Sequence, residues 1–305
     1  MMLSMLLISL EQGLVFAVLA LGVFITYKIL DFPDLSVEGS FPAGAFTFAK
    51  VVTSGGGLIA GLLASLLVGA LTGLLTSTIF SRLRIRPLLS GILTLTLMYS
   101  LNLRINGKSN VPLFSTPTLF RENIVGNILL LLVIVLALKF LLDRFFRTQI
   151  GYMLLATGDN ETLVSGLGEK VNRYKTIGLM LSNALVALSG AIMAQNMRFA
   201  DINMGSSIIV VALASIIIGD TFLRKSKKIK GTTRAILGAL IYKLIGGAAL
   251  YLGLAPTDLK GINALIVIVF IAYNQFSPSA WWTRFRKNIL AVPERGKMHV
   301  ADSSS

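Results

Sequence analysis

Apolar runs long enough to cross a lipid bilayer dominate the sequence and leave few folds open to it. A helix that spans the hydrocarbon core needs about 20 mostly apolar residues. The runs fall at residues 3–27, 40–53, 57–80, 87–105, 125–142, 175–197, 206–223, 233–252 and 262–277. Since only helices and closed barrels satisfy their backbone inside lipid, these runs predict an all-α polytopic membrane protein. Allowing one helix either way around these nine runs, we expect about eight to ten transmembrane helices.

The composition excludes several classes of function. Charged residues make up 14% of the chain, whereas soluble proteins carry about 25%. The net charge of +14 lies in loops between apolar runs, which does not favour a nucleic-acid partner. With no cysteine and a single histidine, His299, a thiolate metal site and a histidine-based catalytic triad are excluded. We expect no catalytic residue, metal site or cofactor.

The distribution of lysine and arginine predicts the orientation in the membrane. Loops rich in these residues stay on the cytoplasmic side. Most of the basic residues fall in alternate loops or ends, at 82–86, 139–175, 224–234 and 284–297. We therefore predict a transmembrane domain over 1–280 and a cytoplasmic polar tail over 281–305. Nine spans then place the N-terminus on the outer side of the membrane.

A polar segment interrupts the apolar pattern after the first run. The run at 40–53 is too short to cross unaided, and acidic residues and Pro33 precede it, so we predict a broken or re-entrant helix. Charged groups at membrane depth usually face a polar cavity, and transporter sites commonly lie where a helix is broken. The alternative is an acidic interfacial loop in which Asp34 caps the following helix. At helical spacing Asp31, Asp34 and Glu38 would share one face. Candidates for lining a solute pathway are Asp31, Phe32, Asp34, Ser36, Glu38, Ser40 and Phe41.

Small residues at four-residue spacing predict close helix packing in the third run. Such a stripe lets two backbones approach each other; the alternative is the general tolerance of glycine in membrane helices. Gly246, Gly247 and Gly253 suggest a second, less regular contact. Asn102, which closes the fourth run, is expected at the membrane interface. The stripe consists of Gly57, Gly61, Ser65, Gly69, Gly73 and Ser77.

The loop at about 143–174 is the strongest candidate for a contact with a partner. Connections between bundled helices are usually about 2–8 residues long, and the charges of this longer loop balance. Its pattern predicts two short helices, at 151–157 and 161–167, joined by a turn that Asp159 or Asn160 caps. We expect Leu163, Val164 and Leu167 to form one apolar face that docks into a partner's groove. A helix lying flat on the membrane is the alternative.

This loop resembles the coupling segment of ABC-importer permeases of the branched-chain amino acid and ribose class. The matching residues are Thr148-Gln149-Ile150-Gly151, Ala156-Thr157-Gly158-Asp159-Asn160 and Gly166-Leu167-Gly168-Glu169-Lys170-Val171-Asn172-Arg173. The segment from Leu30 to Gly44 is similar to that of a subfamily of tryptophan/tyrosine transport permeases, and it lacks the N-F-A-H-G of branched-chain permeases. The resemblance implies ATPase-coupling roles for Gly151, Ala156, Gly158, Asp159, Asn160, Leu163, Gly166, Leu167 and Gly168.

The resemblance further implies an importer assembled from several chains. Two permease copies, a homodimer, would bind two cytoplasmic ATPase subunits and receive solute from an extracytoplasmic binding protein, with lipid around them. The solute that the resemblance implies is a small organic molecule, an amino acid with aromatic ones as the first candidates, moved by alternating access. The chain itself lacks a Walker A motif: before Gly107-Lys108-Ser109, Asn102 stands where the first glycine should be. Alternatives are an ATP-independent secondary transporter or channel, and a membrane-embedded enzyme.

Overall fold

The chain folds as an all-α polytopic membrane protein. The computed structural model describes residues 2–223, 229–255, 258, 261, 264, 265, 267–270 and 272. Within these residues, seven helices are long and apolar enough to cross a membrane, which confirms the predicted fold class. The predicted run at 262–277 lies partly, and the predicted tail over 281–305 entirely, outside the described residues.

The long helices follow the predicted runs closely, and α2 is the short one among those in the membrane. The elements are α1 (Met2–Phe24), continued by a π-helical turn (Ile25–Ile29), α2 (Val37–Thr53), α3 (Leu58–Arg82), α4 (Pro87–Asn106), β1 (Asn110–Pro112), α5 (Ile124–Phe145), α6 (Gln149–Asp159), α7 (Glu161–Gly166), α8 (Val171–Met197), β2 (Phe199–Asp201), a 3-10 turn (Ile202–Gly205), α9 (Ile208–Leu223) and α10 (Gly231–Tyr251). The 17 residues of α2 span about 25 Å at 1.5 Å per residue. This is less than the hydrocarbon thickness of about 30 Å, as its short apolar run predicts.

Helices α1, α2 and α8 form the centre of the bundle, and α3, α4, α5 and α10 lie around them. Most of the residues along α2 and α8 are buried, whereas α5 buries only four of its 22 residues. The outward face of α5 is apolar, with Leu129, Val133, Leu136 and Phe140 exposed. Such a face is suited to lipid, because hydrocarbon tails need no hydrogen-bond partner.

The basic residues that the structure describes gather mainly at one end of the bundle. There Lys28 pairs with Asp220 at 2.8 Å and Lys230 pairs with Asp143 at 2.8 Å. Helices α1 and α10 run antiparallel, because Phe24 meets the start of α10 and Ser9 meets Gly247 near its end. The N-terminus, the end of α10 and the two-stranded antiparallel β1–β2 sheet therefore lie at the opposite end.

The predicted stripe of small residues packs closely against neighbouring helices. A methyl group at Gly69 would overlap the carbonyl oxygen of Asn183 on α8, and one at Gly73 would overlap that of Leu179. Ser65 continues the stripe by donating a hydrogen bond to the carbonyl of Gly44 on α2, at 2.9 Å. The stripe thus joins α3 to two of the three central helices, α2 and α8.

Three of the glycines singled out in the sequence do not make close contacts. Nothing lies within 4 Å of a side chain built at Gly57, Gly246 or Gly253. Gly57 precedes the first turn of α3, and Gly253 has φ +93° just past the end of α10. In the second predicted contact only Gly247, which meets Ser9, is close-packed. Spacing alone therefore predicted packing correctly inside α3 but not at the helix ends.

We expect alanine substitutions along this stripe to destabilise the protein in proportion to the contact. Gly69→Ala should cost about 1–3 kcal/mol, because backbone of α8 must move to admit the methyl group. Gly61→Ala should cost less, since its nearest neighbour is the Phe48 ring, a side chain that can shift. Gly57→Ala is the neutral control. Thermal unfolding of the purified variants in detergent tests the order, and equal losses at all three positions would contradict it.

Candidate translocation pathway and coupling segment

The chain unwinds between α1 and α2, as the acidic segment predicted. The α-helix of α1 widens into a π-helical turn at Ile25–Ile29, and regular helix resumes only at Val37. Between them Asp31 takes a left-handed conformation with φ +50°. Asp31 is exposed, whereas Phe32 and Asp34 are 3% exposed. Irregular backbone at this depth persists where protein covers it, and here α8 and α3 provide that cover.

The polar residues of the unwound segment converge on Asn183 in the middle of α8. The Asp34 carboxylate accepts hydrogen bonds from the Ser36 backbone N–H at 2.9 Å, the Ser36 hydroxyl at 2.5 Å and the Asn183 side-chain amide at 2.8 Å. The Asn183 side-chain oxygen accepts a hydrogen bond from the Ser40 hydroxyl at 2.5 Å and lies 3.2 Å from the Ser36 hydroxyl, whose one hydrogen is shared between Asp34 and Asn183. We call Asp34, Ser36, Ser40 and Asn183 the polar cluster. Because all four are buried and mutually bonded, the cluster fixes the start of α2 against α8.

The prediction that Asp31, Asp34 and Glu38 share a helix face is wrong. The helix begins after the first two, so their spacing does not place them on one helical surface. Asp34 instead bonds to the backbone at Ser36, just before the first turn of α2. The two aromatic candidates pack in the core: Phe32 meets Phe80 edge-on at 5.3 Å, and both Phe32 and Phe41 are buried.

Glu38 lies apart from the polar cluster and lines a cleft. Its carboxylate accepts hydrogen bonds from the backbone N–H groups of Ser207 and Ile209, at the start of α9. The cleft has a volume of about 360 Å³ and lies between α2, α4 and residues 202–206. It is nearer the end of the bundle that carries the N-terminus, because α4 contributes residues from its second half, 95–102. Of the seven pathway candidates, Glu38 is the one that lines this cleft.

The two short helices predicted in the long loop are present as α6 and α7. The Thr148 side chain caps α6 by accepting from the Gly151 N–H at 3.2 Å, and Asn160 caps α7 by accepting from the Leu163 N–H at 3.0 Å. Gly166 is the last residue of α7, and Gly168, with φ +78°, turns the chain towards α8. We call α6 and α7 together the coupling segment.

Glycines fit the coupling segment tightly against the ends of the long helices. A methyl group at Gly151 would overlap the carbonyl of Phe145 at the end of α5, and one at Gly158 would overlap that of Ile29. Ala156 and Asp159 border an open hollow beside Gly158 and Lys28, and Asp159 is exposed. The segment therefore touches the chain immediately before the unwound region.

The apolar residues of α7 do not form the single face that was predicted. Val164 is fully buried, whereas Leu163 is 56% and Leu167 is 66% exposed. The prediction fails because residues 163 and 164 are about 100° apart on a helix of 3.6 residues per turn. Val164 holds α7 to the bundle, while Leu163 and Leu167, one turn apart, face outward. Tyr152 and Leu155 of α6 are also exposed.

Lys175 joins the coupling segment to the unwound region. Its ammonium group lies 2.7 Å from the Glu161 carboxylate on α7 and 5.1 Å from the centre of the Phe80 ring. Phe80 in turn packs on Phe32. A continuous set of contacts thus runs from α7 through the start of α8 to the residues before α2.

Sequence reasoning missed two polar residues inside the bundle. Asn183, the hub of the polar cluster, stands out only as an amide in an apolar helix. Asn102 was predicted at the interface but is fully buried, because its side-chain amide donates to the Gly39 carbonyl at 3.2 Å. In both cases the available signal was a polar residue within an apolar run. The run alone does not show that the residue packs against the broken helix.

Residues 5–272 match a family of permease components of branched-chain amino acid transport systems. The tyrosine transport system permease protein of Clostridioides difficile (strain R20291) is 45% identical over 86% of this chain and 88% of that protein. The autoinducer 2 import system permease protein LsrC of Yersinia pseudotuberculosis is 27% identical over 83% of this chain and 65% of that protein. A solved inward-facing structure of the metal-chelate ABC transporter type aligns with a TM-score of 0.47 at 19% identity, covering 88% and 84% of the two chains.

Proposed function

This chain belongs to the family of branched-chain amino acid transport system permease components, and we propose that it is the membrane-spanning subunit of an ATP-driven amino acid importer. Aromatic amino acids are the first candidates for the solute, because a relative at 45% identity is named a tyrosine transport permease. In this proposal separate subunits hydrolyse the ATP, and the chain lies in a bacterial cytoplasmic membrane with its C-terminus inside.

The main support for this proposal comes from the coupling segment and the residue that follows it. Leu163 and Leu167 present apolar side chains outward at the basic end of the bundle, and exposed apolar residues on a rigid helix are typical of a docking surface. Two ATPase subunits would bind the coupling segments of two permease copies on the cytoplasmic side. An extracytoplasmic binding protein would deliver the solute at the opposite end.

The contacts between these regions support a mechanism of alternating access. ATP binding would displace α7, and Lys175 would pass that displacement to Phe80 and to the unwound segment. Asp31, Phe32, Asp34, Ser36, Ser40 and Phe41 would then act as a hinge and gate beside the pathway. Since Asp34 and Ser40 are buried and bonded to Asn183, this segment is tied to α8, and the gate would open through a joint movement of α2 and α8 relative to the other helices.

An ATP-independent transporter or channel explains the molecule less well. Proton- or sodium-coupled transport usually relies on ionisable residues within the membrane. The salt bridges that the described residues form lie at the basic end of the bundle, and two acidic residues placed within the membrane, Asp34 and Glu38, are not among them, so no chain of paired ionisable groups crosses the described bundle. Such a protein would also leave the exposed apolar residues of the coupling segment without a role.

Reconstitution tests the proposed function. The chain is inserted into liposomes with a candidate ATPase subunit and a candidate binding protein from the same organism, and uptake of radiolabelled L-tyrosine is measured. We expect uptake only with ATP on the side of the coupling segment, and none when the ATPase subunit carries an inactivating substitution in its Walker A lysine. Uptake by the permease alone, driven by an ion gradient, would overturn the proposal.

A further inference from the structure

We propose that the cleft between α2, α4 and residues 202–206 binds the ammonium group of the transported amino acid, with Glu38 and Asn102 as its recognition groups. This deepens the proposed function and rests on it. Three independent observations support the assignment: a carboxylate without a counter-charge, a buried acceptor without a partner, and a polar surface on a membrane helix.

Glu38 needs a positive partner that the described part of the chain does not supply. A charge at membrane depth is costly and is normally paired. The five ion pairs formed by the described residues do not include Glu38. The N–H groups of Ser207 and Ile209 hold the carboxylate in place but leave its charge uncompensated. A cationic ligand group in the cleft would provide that compensation.

Asn102 offers a second acceptor beside the same cleft. Its side-chain nitrogen is engaged with the Gly39 carbonyl, and its side-chain oxygen is buried with no hydrogen-bond partner among the described residues. Such a group costs about 1–3 kcal/mol if it stays unpaired. Since Glu38 and Asn102 both offer acceptors, a ligand that matches them must donate hydrogen bonds, as an ammonium group does.

The face of α4 beside the cleft is polar where other membrane helices are apolar. Thr96, Tyr99 and Ser100 are exposed and line the cleft, in contrast to the apolar outward face of α5. Polar residues in membrane helices usually face a water-filled cavity or the bundle interior. The Tyr99 ring adds a surface on which an aromatic or cationic group can stack. At about 360 Å³ the cleft falls in the range of small-molecule sites, about 300–1,000 Å³.

The natural absence of cysteine gives a direct test. The chain has no cysteine, so Ser100→Cys places a single thiol in the cleft of the full-length protein in lipid nanodiscs. Its labelling is compared with a cationic trimethylammonium methanethiosulfonate and an anionic sulfonate analogue, each relative to a free thiol. Leu129→Cys, on the apolar face of α5, is the matched control and should not react with either reagent.

We expect the thiol at position 100 to favour the cationic reagent, and Glu38→Gln to reduce that preference about fivefold. Glutamine keeps an oxygen for the Ser207 and Ile209 N–H groups, so the cleft should remain folded. A thiol at position 100 that does not react, or the same preference in the Glu38→Gln background, would overturn the inference.

Protection by ligands identifies the recognised group. L-tyrosine and tyramine carry the amine and should slow labelling at least about twofold when more than half of the clefts are occupied. 3-(4-Hydroxyphenyl)propanoate lacks the amine and should leave the rate unchanged. Protection by this acid, or none by either amine, contradicts the assignment. If ATP-dependent tyrosine uptake persists in that case, the site inference alone fails; if the amines protect but uptake needs no ATP, the proposed function alone fails.

Discussion

Replacing Leu163 and Leu167 together with glutamate should abolish both association with the ATPase and uptake. The two side chains are exposed and apolar, Leu163 within α7 and Leu167 directly after it. A charge in the centre of an apolar interface costs several kcal/mol because it is buried without a partner. At about 1.4 kcal/mol per tenfold change in affinity, we expect co-purification of the ATPase with the tagged permease to fall at least a hundredfold. The fold should survive, because neither side chain packs in the core.

A matched control distinguishes specific docking from nonspecific hydrophobic association. Phe114 is 74% exposed but lies in the loop after β1, at the other end of the bundle. Phe114→Glu should leave ATPase co-purification unchanged. If Leu163→Glu/Leu167→Glu also co-purifies normally, the coupling segment is not the docking surface, and if Phe114→Glu disrupts binding, the orientation is reversed.

Removing Asn183 should cause the largest loss of stability that a single side chain in the bundle can cause. Asn183→Leu takes away the donor to Asp34 and the acceptor for Ser36 and Ser40. The Ser36 hydroxyl keeps its bond to Asp34, but a buried carboxylate loses a donor and the Ser40 hydroxyl loses its acceptor, which should cost about 3–5 kcal/mol. The loss of stability is measured as the apparent melting temperature in detergent, taken from the loss of the monodisperse peak in size-exclusion chromatography after heating. Ser40→Ala, which removes one hydrogen bond, should cost only about 1 kcal/mol.

A double-mutant cycle shows whether the loss comes from the Asp34–Asn183 contact. Once Asp34→Leu has removed the carboxylate, Asn183→Leu should lower the free energy of unfolding by less than it does in the native chain. No buried carboxylate is then left without its hydrogen-bond donor. Additive losses would mean that the two residues act independently. The cycle also bears on the gate, because a cluster that holds α2 against α8 must separate or move as a unit during transport.

The helices could be predicted well from the sequence, since the physical requirement behind them is local. A run such as 57–80 must be helical to satisfy its backbone in lipid, and α3 is found over Leu58–Arg82. The helix caps are equally local. Asn160 caps the start of α7, and Gly168 turns the chain after its end, as their residue types predict. The break before α2 was visible because Asp31, Pro33 and Asp34 interrupt the apolar pattern and disfavour a continuous helix.

The site was harder to predict because its contacts join residues far apart in the chain. Asn183 lies 149 positions from Asp34, and a single sequence contains no signal that pairs them. Asn102 was placed at the interface by its position in α4, yet α2 packs over it through Gly39. Leu163 and Val164 are adjacent in sequence, and only the packing of α7 decides which of them turns inward.

The contacts between α2 and α8 have a mechanical consequence. Methyl groups at Gly44 and Gly190 would overlap the carbonyls of Ala187 and Phe41 respectively, so the two backbones touch directly with no side chains between them to rearrange. Helices seated in this way cannot slide past one another, and we expect them to travel as one rigid body. A displacement of Lys175 would then be transmitted along α8 to Met197 at its other end, about 33 Å away at 1.5 Å per residue.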